Sequence, residues 1–290
     1  ANFVRVDSPQ NQTFSGFNQS LLLQVIQRTE SQQGTTYDVM AREFAYDDVN
    51  FDTGLRELLV NEDSFDYNIR EEYDTFYGDA PDGKIVRVIV AEGVLVTATS
   101  VSIPAMVFGS WPASTSLEIV IEGIVSGRGG SGGGYFGSGG VGDERLDGLS
   151  GGDAILVSRS VQITVGSGGT VSGGSGGGGA QFYNPAGSGL DTLTSGGGGA
   201  PYGDAGFLAY GTMDTTAQDG GRLIGGAGAT ASLYAIISGG KGGDIGENGE
   251  TVPPSASTTI REGVGGGIGQ AIIDPSSLAT ITNNGQIIGG

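Results

Sequence analysis

Gly127–Arg128–Gly129–Gly130–Ser131–Gly132–Gly133–Gly134 opens a tract unlike the residues before it. Residues 1–125 hold 8 of the 58 glycines, which leaves 50 for residues 126–290. Glycine has no side chain to bury and loses more backbone freedom on ordering than any other residue. Such a tract is therefore either a flexible linker or a set of backbones that approach closely and bond to one another.

The segments between the glycine runs favour the second reading. Gly123–Ile124–Val125–Ser126–Gly127 is followed by Gly169–Thr170–Val171–Ser172–Gly173, Gly221–Arg222–Leu223–Ile224–Gly225 and Gly285–Gln286–Ile287–Ile288–Gly289. Ala235–Ile236–Ile237–Ser238–Gly239 is a variant. Alternating strands precede several copies: Leu117 to Ile121, Val161 to Val165 and Leu278 to Ile281. A linker has no need of apolar strands at matching places. The expectation is a mainly β and irregular fold. Short β pieces bury the apolar residues, and glycine runs lie side by side as three-residue-per-turn helices like polyproline II, paired N–H to C=O. Gly129, Gly130, Gly133, Gly176, Gly177, Gly197 and Gly198 are the expected close-approach positions. Unequal spacing of the copies excludes a tight solenoid, so the inserts must bulge out as loops.

Working backward, residues 1–125 have an ordinary apolar density. Phe3 to Asp7, Leu21 to Ile26 and Thr35 to Ala45 read as strands, with a turn at Ser31–Gln32–Gln33–Gly34. A short helix is expected near Leu55 to Leu59, then ordered loop, then a turn at Asp79 to Gly83. Lys84 to Thr97 reads as a strand pair turning at Ala91–Glu92–Gly93. Trp111, the single tryptophan, is expected to be a packing plug. These shifts suggest three domains: 1–82 an N-terminal β domain, 83–125 a β connector and 126–290 a glycine-rich domain.

The chain has no cysteine and no histidine. Disulfides, cysteine nucleophiles, the commonest zinc ligand and the commonest general base are excluded with them. The formal net charge is −19, and residues 1–82 hold 16 Asp plus Glu against 5 Arg. A chain of that sign repels nucleic acid and anionic membrane, and no apolar run spans a bilayer. No glycine run opens into a helical pattern, so a phosphate loop is not expected. Gly239 to Asp244 matches part of a calcium nonapeptide only once, and no metal or cofactor is expected. The acidic pairs Asp47–Asp48, Glu71–Glu72 and Asp143–Glu144 read as solvated faces, and no enzymatic activity is expected. The start at Ala1 and the stop at Gly290 suggest a piece of a longer protein.

Aromatic residues among Gly, Asn, Asp and Pro, outside any core period, have the character of rigid binding anchors or of edge caps. They are Tyr135, Phe136, Phe182, Tyr183, Asn184, Tyr202, Asp204, Phe207 and Tyr210, within inserts 135–150, 181–195, 200–220 and 244–263.

In composition and layout the tract from Gly127 to Gly290 resembles the glycine-rich receptor-binding adhesins of bacteriophage tail fibres. The resemblance implies a polyglycine-II sandwich whose variable loops contact a host receptor, an outer-membrane protein or a glycan. Thr36 to Phe44 with Asp52, and Phe108–Gly109–Ser110–Trp111–Pro112–Ala113, resemble tail-tip proteins of the lambda J type. That implies a fibronectin-like N-terminal domain, other tail proteins as partners, a homotrimer and a place on the virion outside the cell. Two other functions fit the composition: a glycine-rich structural or ice-binding protein, and a carboxylate-based polysaccharide depolymerase.

Overall fold

The computed structural model describes residues 2–6, 21–31, 34–43, 54–78, 80–135, 144–183, 192–207, 216–231, 237–252 and 260–289. The chain divides into two compact units, Ala1–Gly54 and Leu55–Gly290. The described part of the first is an antiparallel sheet of β1 (Asn2–Val6), β2 (Leu21–Ser31) and β3 (Gly34–Glu43), in the order β1-β3-β2. The pair Ser31↔Gly34 closes the expected hairpin. Residues 32–33 and 44–53 lie outside the described residues.

The second unit winds in coils. β4 (Leu55–Val60), β5 (Ser64–Phe65) and β6 (Tyr67–Asn68) make the three sides of the first coil. After helix α1 (Ile69–Phe76), β7 (Ile85–Val90), β8 (Leu95–Thr97) and β9 (Met106–Val107) make the second. β10 (Ser116–Ile121) and β11 (Ile124–Ser126) begin the third. The chain then leaves on an excursion carrying the hairpin β12 (Gly134–Tyr135) and β13 (Glu144–Arg145), and returns as β14 (Ile155–Leu156). β15 (Val161–Val165) and β16 (Thr170–Ser172) begin the fourth coil. A longer excursion holds β17 (Gln181–Tyr183), β18 (Thr192–Leu193), β19 (Thr230–Ala231), β20 (Ile237–Ser238) and β21 (Ile260–Glu262). β22 (Ile272–Ile273) completes that coil, and β23 (Ala279–Asn283) and β24 (Gln286–Ile288) form two sides of a fifth. The sheets β23-β15-β10-β7-β4, β24-β16-β11-β8-β5 and β22-β14-β9-β6 are parallel throughout, a three-sided β-helix.

Alternation within each strand builds the core. Val86, Val88 and Val90 point inward while Ile85 is exposed. Leu58, Val88, Ile119 and Ile163 stack in one column, none more than 2% exposed. The three copies at 124–126, 170–172 and 286–288 lie in register on one side, with Ser126 and Ser172 hydroxyls 3.2 Å apart. The copy at 221–225 does not join them. It forms a bend with Leu223 and Ile224 exposed, because it sits inside the long excursion and not at a coil corner. Trp111 packs against the core, edge-on to Tyr73 at 5.3 Å, and its Nε1 donates to Phe108 O.

Three expectations are corrected. Leu55–Val60 is a strand, and the helix lies later, at Ile69–Phe76. The Asn68 side chain accepts from Arg70 N and its Nδ2 donates to Glu71 Oε1, a reciprocal cap, while Ile69 and Tyr73 bury one helix face. β7 and β8 do not pair with each other. The turn at 91–94, with Gly93 at φ 78°, carries the chain around a corner to the next side. The boundaries at 82/83 and 125/126 are crossed by ladders: β4 pairs β7, and β10 pairs β15. The compact units divide at Gly54/Leu55, and residues 83–125 are coils of the β-helix.

Candidate functional site

Both excursions leave the β-helix after β11 and β16 and return before β14 and β22. They consist of glycine runs at 127–133, 146–154, 173–180, 195–201, 203–206, 216–220, 226–229, 239–243, 247–250 and 263–270. Their backbones bond laterally every third residue. Gly127, Gly130 and Gly133 donate to the carbonyls of Ser172, Ser175 and Gly178, so these two runs point the same way. Gly174, Gly177 and Ala180 donate to Gly152, Leu149 and Leu146, so the run at 146–154 points back.

The run 173–180 is surrounded. One row of its residues, 174, 177 and 180, donates to 146–152 and accepts from 263–269. A second row, 175 and 178, donates to 197–200 and accepts from 130–133. The third, 176 and 179, donates to 247–250 and accepts from 240–243. Six neighbours satisfy one run, as a three-residue period requires when each turn points three ways. The seven expected close-approach glycines sit in these contacts. A Cβ on Gly129, Gly130, Gly133, Gly176, Gly177, Gly197 or Gly198 would stand 1.8–2.0 Å from a backbone carbonyl oxygen.

Where a run has an outer side, side chains complete the bonding at the same period. Asp147, Ser150 and Asp153 accept from the N–H groups of Val264, Gly267 and Gln270. Asn248 and Thr251 accept from Ile268 and Gly265.

The alternation of direction sorts the connections. One end of the array meets the β-helix and carries the turns at 200–203, 220–226 and 243–247. Arg222 forms an ion pair there with Asp63 at 2.8 Å and donates to Gly93 O. The hydrogen bond from Arg222, opposed by burial, holds the Asp63 carboxyl below the usual carboxylate range. Tyr202 packs on Phe65, with ring centroids 5.8 Å apart. At the far end Gly133, Leu146, Ala180, Gly196, Gly206, Ala229, Gly239, Gly240 and Gly263 are joined through lateral bonds. Segments 136–143, 184–191, 208–215, 232–236 and 253–259, which join those roots in sequence, lie outside the described residues.

A family model described as phage tail fibre adhesin Gp38 matches residues 56–290. The chain belongs to the phage tail fibre adhesin Gp38 family. The adhesin is a receptor-binding component of the virion tail, outside the cell. A solved structure, the gp37-gp38 adhesin tip complex of the bacteriophage S16 long tail fiber, shares its fold with a TM-score of 0.54, at 21% identity and over 81% of each chain. No curated protein sequence matches the chain.

The adhesin places the sequence-predicted contact residues unequally. Phe207 stands at the far end and is 58% exposed. Tyr183 is half-buried in β17, opposite Thr192 and Ile260. Phe182, expected in a binding loop, is instead buried with Leu193 and Leu146, under the Arg261 guanidinium at 4.7 Å. Tyr202, also expected in a binding loop, lies at the β-helix end. Its φ of 54° and its Phe65 contact give it a docking role there. Asp204 is exposed and paired with Arg128 at 3.2 Å along a run. Tyr135 lies in β12; Phe136, Asn184 and Tyr210 lie outside the described residues.

The inserts at 200–220 and 244–263 thus begin at the β-helix end, while Gly206, Phe207 and Gly263 belong to the far end. The segment between β19 and β20 was missed, its signal being Leu233, Tyr234 and Ile236 between two glycine runs. Among the described residues, no group of three or more acidic side chains could hold a metal ion. Glu57 and Glu118 flank Arg87 at 3.1 and 2.8 Å on the outer face of one sheet.

Proposed function

We propose that the far end of the glycine array is the receptor-contacting face, that the adhesin binds its receptor without cleaving it, and that the β-helix unit faces the remainder of the tail. The gathering at one end of the described residues that flank five segments carries this reading. Their roots are pinned by backbone bonds in a stiff array, so the segments start from fixed points and binding costs less ordering. Residues 136–143, 184–191, 208–215, 232–236 and 253–259 contain no Lys or Arg, while they include Phe136, Tyr210, Tyr234 and several aliphatics. That composition suits an apolar or basic protein surface, such as the exposed loops of an outer-membrane protein, better than a phosphate-bearing glycan.

The S16 structure is a complex of two tail proteins, which supports a second tail protein as partner of this chain. A homotrimer of this chain is the finer proposal. The molar mass of the purified chain in solution tests it, and a monomer there assigns any threefold symmetry to the partner.

The central test replaces 208–215 by a glycine–serine segment of equal length. Host adsorption should fall while the melting temperature stays within about 3 °C of wild type, the scale of about 1 kcal/mol for a domain of this size. Undiminished adsorption after this and the equivalent replacement of 184–191 would remove the far end from receptor contact.

A further inference from the structure

We propose that the outer face of β4, β7 and β10 docks a basic amphipathic helix of a partner protein. The helix lays its apolar residues on Leu59, Ile89 and Val120 and its Lys or Arg residues against the carboxylates on either side. This face is on the flank of the β-helix, and its role stands apart from the question of which end meets the receptor.

Inward residues of these strands build the core, and outward residues stand in rows across the sheet. Glu57, Arg87 and Glu118 are in register, with Gln162 and Thr280 continuing the row. Two residues on, Leu59, Ile89 and Val120 form the next row, continued by Thr164 and Thr282. Leu59 is 58% exposed, and Ile89 and Val120 are half-buried. Threonine at Thr164 and Thr282 is what a solvated flank calls for. Aliphatic residues at the same place in three successive coils, rimmed by charge, are the pattern of a protein contact.

Carboxylates stand on both sides of the aliphatic row. On one side Glu57 and Glu118 share a single cation, Arg87, at 3.1 and 2.8 Å. On the other side Glu62, Glu92 and Glu122 stand just past the ends of the three strands. Among the described residues none of these three is in an ion pair, and the cation at that corner, Arg222, is held by Asp63. Glu122 reaches across Gly166 of the next coil, where a Cβ would stand 2.0 Å from its Oε2. The row thus lies between five carboxylates and one arginine, a field that attracts a basic partner.

The spacing selects the form of the occupant. Neighbouring strands are about 4.8 Å apart, so the row offers one aliphatic residue at each such step along the β-helix axis. An amphipathic α-helix offers one apolar residue per turn of about 5.4 Å, which nearly matches that step. A helix laid along the row carries its flanking positions over the two acidic sides, where Lys or Arg meets a carboxylate. A second copy of this chain does not supply it. Its helix α1 carries Glu71, Glu72 and Asp74 against Arg70, and two such acidic faces repel each other.

The test uses the 290-residue chain and a labelled peptide of about 15 residues, with Leu once per helical turn and Lys at the flanking positions. A second peptide has the same composition in scrambled order. Fluorescence anisotropy should show saturable binding of the ordered peptide, weakening as salt rises. The double variant Leu59→Ser, Ile89→Thr should bind it about tenfold or more weakly, and Glu92→Gln about threefold more weakly. Melting curves check that the variants fold, and Val120→Thr replaces the double variant if that one melts early. Equal binding of the scrambled peptide, or equal binding by the folded aliphatic variant, overturns the proposal by reducing the contact to unspecific charge attraction. Absence of saturable binding overturns it as well. A dimer in sedimentation that the same variant dissociates also overturns it, by assigning the face to a second copy.

Discussion

Gly266 and Gly267 are neighbours in one glycine run, and alanine at the two should have opposite effects. Gly266 is buried, donates to Gly177 O at 2.8 Å and accepts from Gly249 N at 2.9 Å. A Cβ on Gly266 would lie 1.9 Å from Leu149 O, where ordinary contact begins at 3.4 Å. The run 146–154 must then retreat by more than an ångström, which costs about 1–3 kcal/mol as overpacking. Gly177 N→Leu149 O and Gly266 N→Gly177 O stretch with it. Two weakened buried backbone bonds add about 1–3 kcal/mol each. Alanine returns about 0.4–1 kcal/mol by restricting the unfolded chain. The net loss is about 2–8 kcal/mol, a large share of the roughly 5–15 kcal/mol that holds a typical domain. At about 2–4 °C per kcal/mol for a unit of this size, the melting temperature should fall by roughly 4–30 °C. At Gly267 the nearest atoms to a Cβ are Ser150 Oγ at 3.5 Å and Asn248 Oδ1 at 3.9 Å. Gly267→Ala should leave the melt unchanged or raise it slightly. Calorimetry of the two variants beside wild type is the assay. If Gly266→Ala melts within a degree of wild type, or if both variants fall together, lateral contact is not what holds the array.

Phe207→Ala should slow host adsorption about tenfold or more with little change in melting, as expected of an exposed aromatic anchor. Tyr202→Ala should do the reverse, costing about 1–2 kcal/mol through loss of the Phe65 contact while adsorption by the folded protein is retained. The Asp63–Arg222 pair should contribute about 0.5–1 kcal/mol, discounted because both side chains are about a third or more exposed. Since Asp63 is depressed in the folded state, that contribution is present above the ordinary carboxylate pKa of about 4 and fades as pH falls below it. Asp63→Asn should therefore lower the melt at pH 7 and converge on wild type in acid. Tyr77→Phe should speed amide exchange at Glu57 with a loss of about 0.5–1.5 kcal/mol, since the hydroxyl accepts from Glu57 N and donates to Glu57 O.

The glycine runs were legible because a three-residue lateral period depends on the absence of side chains, which a sequence displays directly. The copies at 124–126, 170–172 and 286–288 were legible as a frame for the same reason that they stack: each presents a central Val or Ile on the same side of its coil, packed with the core. Their closure into a β-helix was not legible. Strands of two or three residues such as Tyr67–Asn68 have no period, and a parallel stack is set by partners 30 or more residues away. Lys84 to Thr97 illustrates this, since its turn at Gly93 fits a hairpin and a corner equally well. The cap at Asn68 and Glu71 was readable as Asn-x-x-Glu, but the acidic surroundings hid it. Phe182 and Tyr202 are placed by partners that no local pattern marks: Leu193 and Leu146 for the first, Phe65 for the second. Arg222 and Asp63 are 159 residues apart, and nothing local marks either as the other's partner.

The run 173–180 has a consequence for synthesis. Its neighbours span residues 127 to 269, so a nascent chain that has emerged only to residue 240 holds it with part of its shell missing. The backbone groups meant for 247–250 and 263–270 must stay hydrated until that length appears. Folding of the array is therefore a late, non-local event that completes only when the chain has come back to the β-helix. A ribosome-bound intermediate cut at residue 245 should exchange the amides of Gly176 and Gly179 freely, whereas the finished chain should protect them.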